Sequence, residues 1–229
     1  MNWVLDNLDL IVELALVHVR QSVPPLVFGL LVSLPLGWLA WRYRAARGTI
    51  LSITGLLYTI PSLALLFILP VVFGISATSE ANLITALTIY AVALLTRSVA
   101  EGLASVDPDV RLAATAVGYG TARRFWAVDL PLSGPVILAG LRVTAASTVA
   151  LATVGILIGV TNLGYLFTNG LQRRIIPEVV AGLVAVGLIA LLIDLALVLL
   201  GRLLMPWTRR TATSRISAQR EVVRAEVTA

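Results

Sequence analysis

Apolar residues in this chain fall into long runs separated by short polar punctuation. Five of them, about Val23 to Trp41, Ile50 to Gly74, Asn82 to Ala100, Pro135 to Val160 and Glu178 to Met205, match or exceed the ~20 residues a helix needs to cross a hydrocarbon core of about 30 Å. The pattern therefore predicts an all-α integral membrane protein with five transmembrane helices. The 26-residue fourth run has the length to tilt or break, which leaves six spans open. Upstream, residues 1–19 set Leu and Val at helical spacing among Asp6, Asp9 and Glu13, and read as an interfacial helix leading into the first span. The chain divides into that helix, a membrane domain over 20–205 containing a polar loop at 101–134, and a tail over 206–229. The tail carries five Arg and little apolar periodicity, as a solvated extension in contact with anionic lipid would.

Composition supports this division and removes several chemistries. Of 229 residues 59% are hydrophobic and 13% charged, against about 45–50% and 25% in a soluble domain. There is no Cys and one His, His18, and all 17 basic residues are Arg. That excludes a thiolate metal site, a cysteine nucleophile, a lysine Schiff base and a lysine-bearing phosphate loop. It also makes a histidine metal cluster or a Ser/His/Asp triad improbable. The net charge of +5 sits at the ends of apolar runs, which points to a membrane surface and away from nucleic acid. Five crossings from an external N-terminus place eleven Arg (42, 44, 47, 111, 123, 124, 209, 210, 215, 220 and 224) on the cytoplasmic side and three (20, 173 and 174) outside, so the positive-inside rule puts the C-terminus in the cytoplasm. Trp38, Trp41 and Trp207 then belong to an inner aromatic belt and Trp3 to an outer one. No basic n-region precedes the first run, so a cleaved signal peptide is not expected.

The polar loop has internal order. Asp107-Pro108-Asp109 supplies a turn, with Asp109 placed to cap a helix over Val110 to Val117. Gly118-Tyr119-Gly120 then breaks the run, and Thr121 to Asp129 makes a second helical segment before Leu130-Pro131. Ala113, Ala114 and Ala116 give the first helix a small side suited to close contact, either with another polypeptide or with its own bundle. Within the spans, Pro61 predicts a kink, and Tyr58, Thr59 and Ser62 beside it are candidates for lining a path. Gly155-(x)3-Gly159 would admit a neighbouring helix closely. Arg97, Arg142 and Asp194 are intramembrane charges that require partners. A rise of about 1.5 Å per residue puts Arg142 and Asp194 at similar depth, so they are expected to pair, with Arg97 nearby or reaching toward the cytoplasm.

Ala113-Ala114-(x)3-Gly118, followed by Leu130-Pro131-(x)3-Pro135, resembles the EAA loop of permease subunits of bacterial ABC importers, with Leu112 where the family carries Glu. Thr59-Ile60-Pro61-Ser62-Leu63-Ala64-Leu65 and Ile158-Gly159-Val160-Thr161-Asn162-Leu163-Gly164 are similar to segments of the osmoprotectant permeases. That branch transports glycine betaine, carnitine, choline and proline betaine. The likeness runs from about residue 20 to 205 and implies a MetI-like transmembrane fold in the bacterial inner membrane. It implies that Asp109, Leu112, Ala113, Ala114, Gly118, Gly120 and Pro131 belong to a coupling element seated on cytoplasmic ATP-binding subunits. ATP and Mg would be held by those subunits, with no cofactor in this chain. A second permease, identical or paralogous, and an extracytoplasmic substrate-binding protein are the further partners implied, with no role for nucleic acid. Related importers of methionine or other small solutes share this core. An ion-coupled carrier using Arg142 and Asp194 as a relay, or an intramembrane enzyme, fits the residues less well.

Overall fold

The computed structural model describes residues 2–208, all of whose long elements are helices. In order they are α1 (Asn2–Asp6), α2 (Leu8–Arg42), α3 (Arg44–Thr59), α4 (Ser62–Phe73), α5 (Glu80–Ala104), α6 (Pro108–Ala116), α7 (Thr121–Arg124), α8 (Leu130–Ala152), α9 (Gly164–Gln172) and α10 (Ile176–Leu204). A π-helical turn, Phe125–Asp129, joins α7 to α8, and a 3-10 turn, Thr153–Ile158, follows α8. Among the described residues four helices are long and apolar enough to cross a membrane, and the bent pair α3 and α4 makes up to five. The arginines expected in the tail, Arg209, Arg210, Arg215, Arg220 and Arg224, lie outside the described residues.

α5 is the most buried span and sits between α2 and α8. The approach is close because small residues line it. A Cβ built on Gly29 would lie 2.5 Å from the Cβ of Ala91, and one on Gly37 would lie 2.6 Å from that of Val99. Gly140 of α8 likewise abuts Ser98 of α5. Small-residue contacts of this kind replace the hydrophobic effect as the source of helix association in lipid. By contrast α10 is the least buried span and exposes Leu188, Leu191, Leu192, Leu195 and Leu199 along its length.

Three features differ from the sequence expectation. Residues before the first run do not form a separate interfacial helix. Beyond the short α1, residues 8–19 are the first third of α2, which is 35 residues long, or about 52 Å at 1.5 Å per residue. The reason is burial: Leu14 packs with Val149, Leu163, Leu166 and Ile189, and His18, fully buried, bonds through Nε2 to the Val149 carbonyl at 3.0 Å. Second, the Pro61 kink is a break. α3 and α4 meet at 107°, because Pro61 removes a donor and forces Ile60 into an extended conformation, ψ 128°. Third, Leu130-Pro131 is no boundary. Residues 121–158 run as one span, the π turn taking up the irregularity beside the proline.

Replacing Gly29 by Val should overpack the α2–α5 contact and cost about 1–3 kcal/mol, read as a lower melting temperature in detergent. Gly48, with open space around the site of a Cβ, should accept Ala with unchanged or raised stability.

Candidate functional site

The motif helix α6 owes both its ends to identifiable chemistry. Its N-cap is Asp107, whose Oδ1 accepts from the Asp109 amide at 2.8 Å. This corrects the assignment of the cap to Asp109. Pro108, with φ preset and no N–H to leave unsatisfied, fits the first helical position, so the cap falls one residue before it. Asp109 instead lies in the first turn, where its charge opposes the helix dipole favourably. At the other end Gly118 has φ +94°. Its amide bonds to the Thr115 carbonyl at 2.9 Å and that of Tyr119 to Ala114 at 3.0 Å. This is a Schellman stop, which needs a residue free to enter the left-handed region. The Ala-Ala-(x)3-Gly spacing is thus the last turns of a helix plus its terminator. Gly120 then caps α7.

A buried carboxylate holds α6 in place. Asp129, in the π turn, is 1% exposed; its two oxygens accept from Arg111 Nε at 2.8 Å and Arg124 Nε at 3.3 Å. Arg111 also donates to the Leu103 carbonyl at the end of α5 and lies over the Trp41 ring, 4.7 Å from its centroid. Arg124 donates onward to the Thr115 hydroxyl at 3.1 Å. Trp41 is therefore more than a membrane anchor, since it carries a guanidinium on its face. These contacts tie α6 to α2, α5 and the root of α8. No residue of α6 is buried. Leu112 of α6 is 68% exposed, its C-cap Val117 79% and Trp126 of the π turn 66%, so the ion-clamped helix stands among bare apolar groups. Pro131 lies in the first turn of α8, immediately beyond the clasp.

Sequence reasoning ended the second helical segment at Asp129 and gave it no role. The available signal was its position as the one acid between Arg111, Arg123, Arg124 and the following apolar span.

The second group of candidates gathers at the break between α3 and α4. The Tyr90 hydroxyl of α5 donates to the Ile60 carbonyl at 2.6 Å, capping an acceptor that the break has freed. Tyr58 packs edge-to-face on Tyr90 with centroids 5.9 Å apart and remains 44% exposed. The Thr59 hydroxyl turns back to the Leu56 carbonyl at 2.7 Å. Pro61 is exposed and Ser62, half-buried, opens α4.

Of the three intramembrane charges two meet. Arg142 of α8 donates through Nε and Nη2 to the two oxygens of Asp194 of α10, at 2.6 and 2.8 Å. Such a two-pronged guanidinium–carboxylate pair fixes orientation as well as charge. Arg97 does not join them; it bonds Glu101 one turn along its own helix at 2.8 Å. The Gly155-(x)3-Gly159 pair also divides. Gly155 lies against Leu83 of α5 within this chain, whereas Gly159 ends the 3-10 turn with φ +85° and packs no helix.

At the opposite end of the bundle, Asn162 anchors the second motif. Buried, it accepts from the Gly164 amide at 2.8 Å and donates to Gln21 Oε1 and the Ala152 carbonyl at 2.9 and 2.8 Å. Gln21 passes the link to Glu80 at 3.0 Å, and Arg20 pairs with the same carboxylate. Thr161, its carbonyl accepting from Gln21 at 3.2 Å, completes the junction.

A bundle of four membrane-length helices with a further broken pair and an exposed, ion-clamped connecting helix defines a multi-pass membrane protein. Residues 29–210 match the family described as binding-protein-dependent transport system inner membrane component, and the chain belongs to that family, whose members are permeases of the inner membrane. The choline transport system permease protein OpuBB of Bacillus subtilis (strain 168) is 31% identical over 189 residues, covering 82% of this chain and 86% of its own. The glycine betaine/carnitine/choline transport system permease protein OpuCD of the same organism is 30% identical, with 82% of each chain covered. A chain of the MetNI methionine ABC transporter, solved in an inward-facing form, shares the fold with a TM-score of 0.74 at 22% identity over 86% of this chain and 97% of that one.

Replacing Asp129 by Ala strands two guanidinium groups against the protein and should cost about 3–5 kcal/mol. Faster hydrogen exchange should appear over 108–124 before it does in α5.

Proposed function

We propose that this chain is the permease subunit of an ATP-driven importer of osmoprotectants bearing a quaternary ammonium group, such as glycine betaine, carnitine, choline or proline betaine. The supporting observation is the likeness over four-fifths of the chain to permeases named for choline, glycine betaine and carnitine. The methionine reading has weaker support, since the similarity to that transporter is of fold. In this proposal the arginine-rich end of the bundle faces the cytoplasm, as does the C-terminus, and the N-terminus faces outward. Up to five spans are too few to enclose a solute path, so a second permease, identical or paralogous, completes it.

The clasped helix gives the mechanism a handle. ATP and Mg would reside on separate cytoplasmic ATP-binding subunits, and an extracytoplasmic binding protein would deliver solute. Leu112, Ala113, Ala114 and Val117 would seat α6 in a groove of the ATP-binding subunit; with Leu112 exposed and apolar, this contact is hydrophobic where the family carries Glu. Asp109 and Gly118 shape the helix, and Gly120 and Pro131 flank it. Displacement of α6 would pass through Arg111 and Arg124 to Asp129 and so to α8. Net movement requires that the solute bind the outward and inward states differently. Tyr58, Thr59, Pro61 and Ser62 would line the path, and the Arg142–Asp194 pair would hold α10 to the moving α8.

Co-purification should recover this chain with ATP-binding subunits, and the assembled complex with its binding protein should drive ATP-dependent uptake of choline or glycine betaine into proteoliposomes. Recovery with no ATPase partner would sink the proposal. Ala113→Trp adds bulk to an exposed position and should abolish uptake and weaken ATPase recovery while leaving the melting temperature unchanged. If Arg142 and Asp194 act as a pair, exchanging them should restore most of the uptake that either single reversal removes.

A further inference from the structure

We infer that Tyr58 contacts the quaternary ammonium group of the solute in transit, offering its ring from an aromatic corner whose other wall is Tyr90. The inference rests on the osmoprotectant reading and deepens it.

Depth is the first argument. Tyr58 lies fourteen residues beyond Arg44 at the start of α3, about 21 Å along the helix at 1.5 Å per residue. Tyr90 lies ten residues beyond Glu80 at the opposite end of α5, about 15 Å along. Counted from opposite faces, the two rings meet near mid-membrane, where a discontinuous helix commonly holds a transported solute.

Exposure is the second. The phenol of Tyr58 is 44% exposed and its hydroxyl makes no hydrogen bond among the described residues. Facing acyl chains, that hydroxyl would be left unsatisfied at a cost; facing a water-filled passage it is not. Tyr90 is 4% exposed, so Tyr58 is the ring the passage meets. Tyr90 positions it: the bond to Ile60 fixes Tyr90 to the break, and the perpendicular packing, at 90° between ring planes, fixes Tyr58 to Tyr90.

The chemistry of the surroundings is the third. Neither α4 nor the part of α3 beyond Arg47 carries a charged residue. Choline, carnitine and glycine betaine differ in the rest of the molecule and share a trimethylammonium group. That group cannot donate a hydrogen bond and spreads its charge over methyls, which suits the face of an aromatic ring. An aromatic face without a carboxylate binds it weakly, and a solute that must leave as readily as it enters needs weak binding.

The test uses the full complex with its ATP-binding subunits and binding protein in proteoliposomes, with radiolabelled choline and glycine betaine as probes. Tyr58→Phe should keep uptake within about twofold, and Tyr58→Leu should lower kcat/KM roughly tenfold, with the yield of assembled complex unchanged. Phenylalanines of increasing fluorination at position 58 should lower uptake stepwise, a graded response that a purely structural role would not give. Tyr90→Phe should lower uptake as well, and less than Tyr58→Leu does. Wild-type rates in Tyr58→Leu, or a flat fluorination series, would overturn the aromatic contact and leave the osmoprotectant reading standing. A wild-type complex that accumulates neither probe would overturn that reading, and this inference with it.

Discussion

Inside a bilayer no water is available to a backbone carbonyl, so wherever a helix breaks another group must supply the missing donor. This chain breaks its helices repeatedly, and side chains from distant elements meet the vacated acceptors. Pro70 has no N–H to give Leu66, and Asn82 of α5 bonds that carbonyl at 2.9 Å. Tyr90 serves Ile60, His18 serves Val149, Asn162 serves Ala152 and Arg111 serves Leu103. Buried Ser and Thr hydroxyls bond carbonyls of their own helices instead, so these links between elements come from the five side chains just named. Because each joins two elements, the same bonds that satisfy the backbone also set the arrangement of α2, α4, α5 and α8.

The sites proposed to act in transport are special cases of this rule. At the α3–α4 break the cap is a tyrosine, which brings a second tyrosine to the opening. At the end of α5 the cap is an arginine, which reaches past the carbonyl to Asp129 and fastens α6. The family motif is legible in the same terms. Its glycine is the left-handed terminator of α6, and Leu130-Pro131 opens α8 inside a span that already runs continuously from α7.

Much of this was readable in the sequence because lipid imposes simple lengths and charges. The spans appear as runs of the required length, Pro61 marks the break, and the Ala-Ala-(x)3-Gly spacing marks the loop helix. The depth of Arg142 and Asp194 brings them into range of each other. What could not be read depends on tertiary partners. Nothing local says that Leu14 and His18 are buried, because their helical stripe suits a membrane surface as well as a bundle. The π turn at Phe125–Asp129 leaves no compositional mark. Asp129 looks like any loop acid until Arg111, eighteen positions earlier, folds back upon it. The contacts that hold the α3–α4 break, the Tyr90 bond to Ile60 and the packing of Leu65, Leu66 and Leu69 on α5, are likewise not announced by the proline.

The exposure of α10 has a consequence for how the protein is made. α10 is apolar enough, with a mean hydropathy of 3.0 over its best window, to enter the membrane despite Asp194, whose insertion alone costs about 2.5–3.5 kcal/mol at a helix centre. Arg142 is synthesised some fifty residues earlier and has no acidic partner at its depth until α10 arrives. During biogenesis the nascent bundle therefore carries an unneutralised guanidinium in the bilayer until α10 enters and closes it.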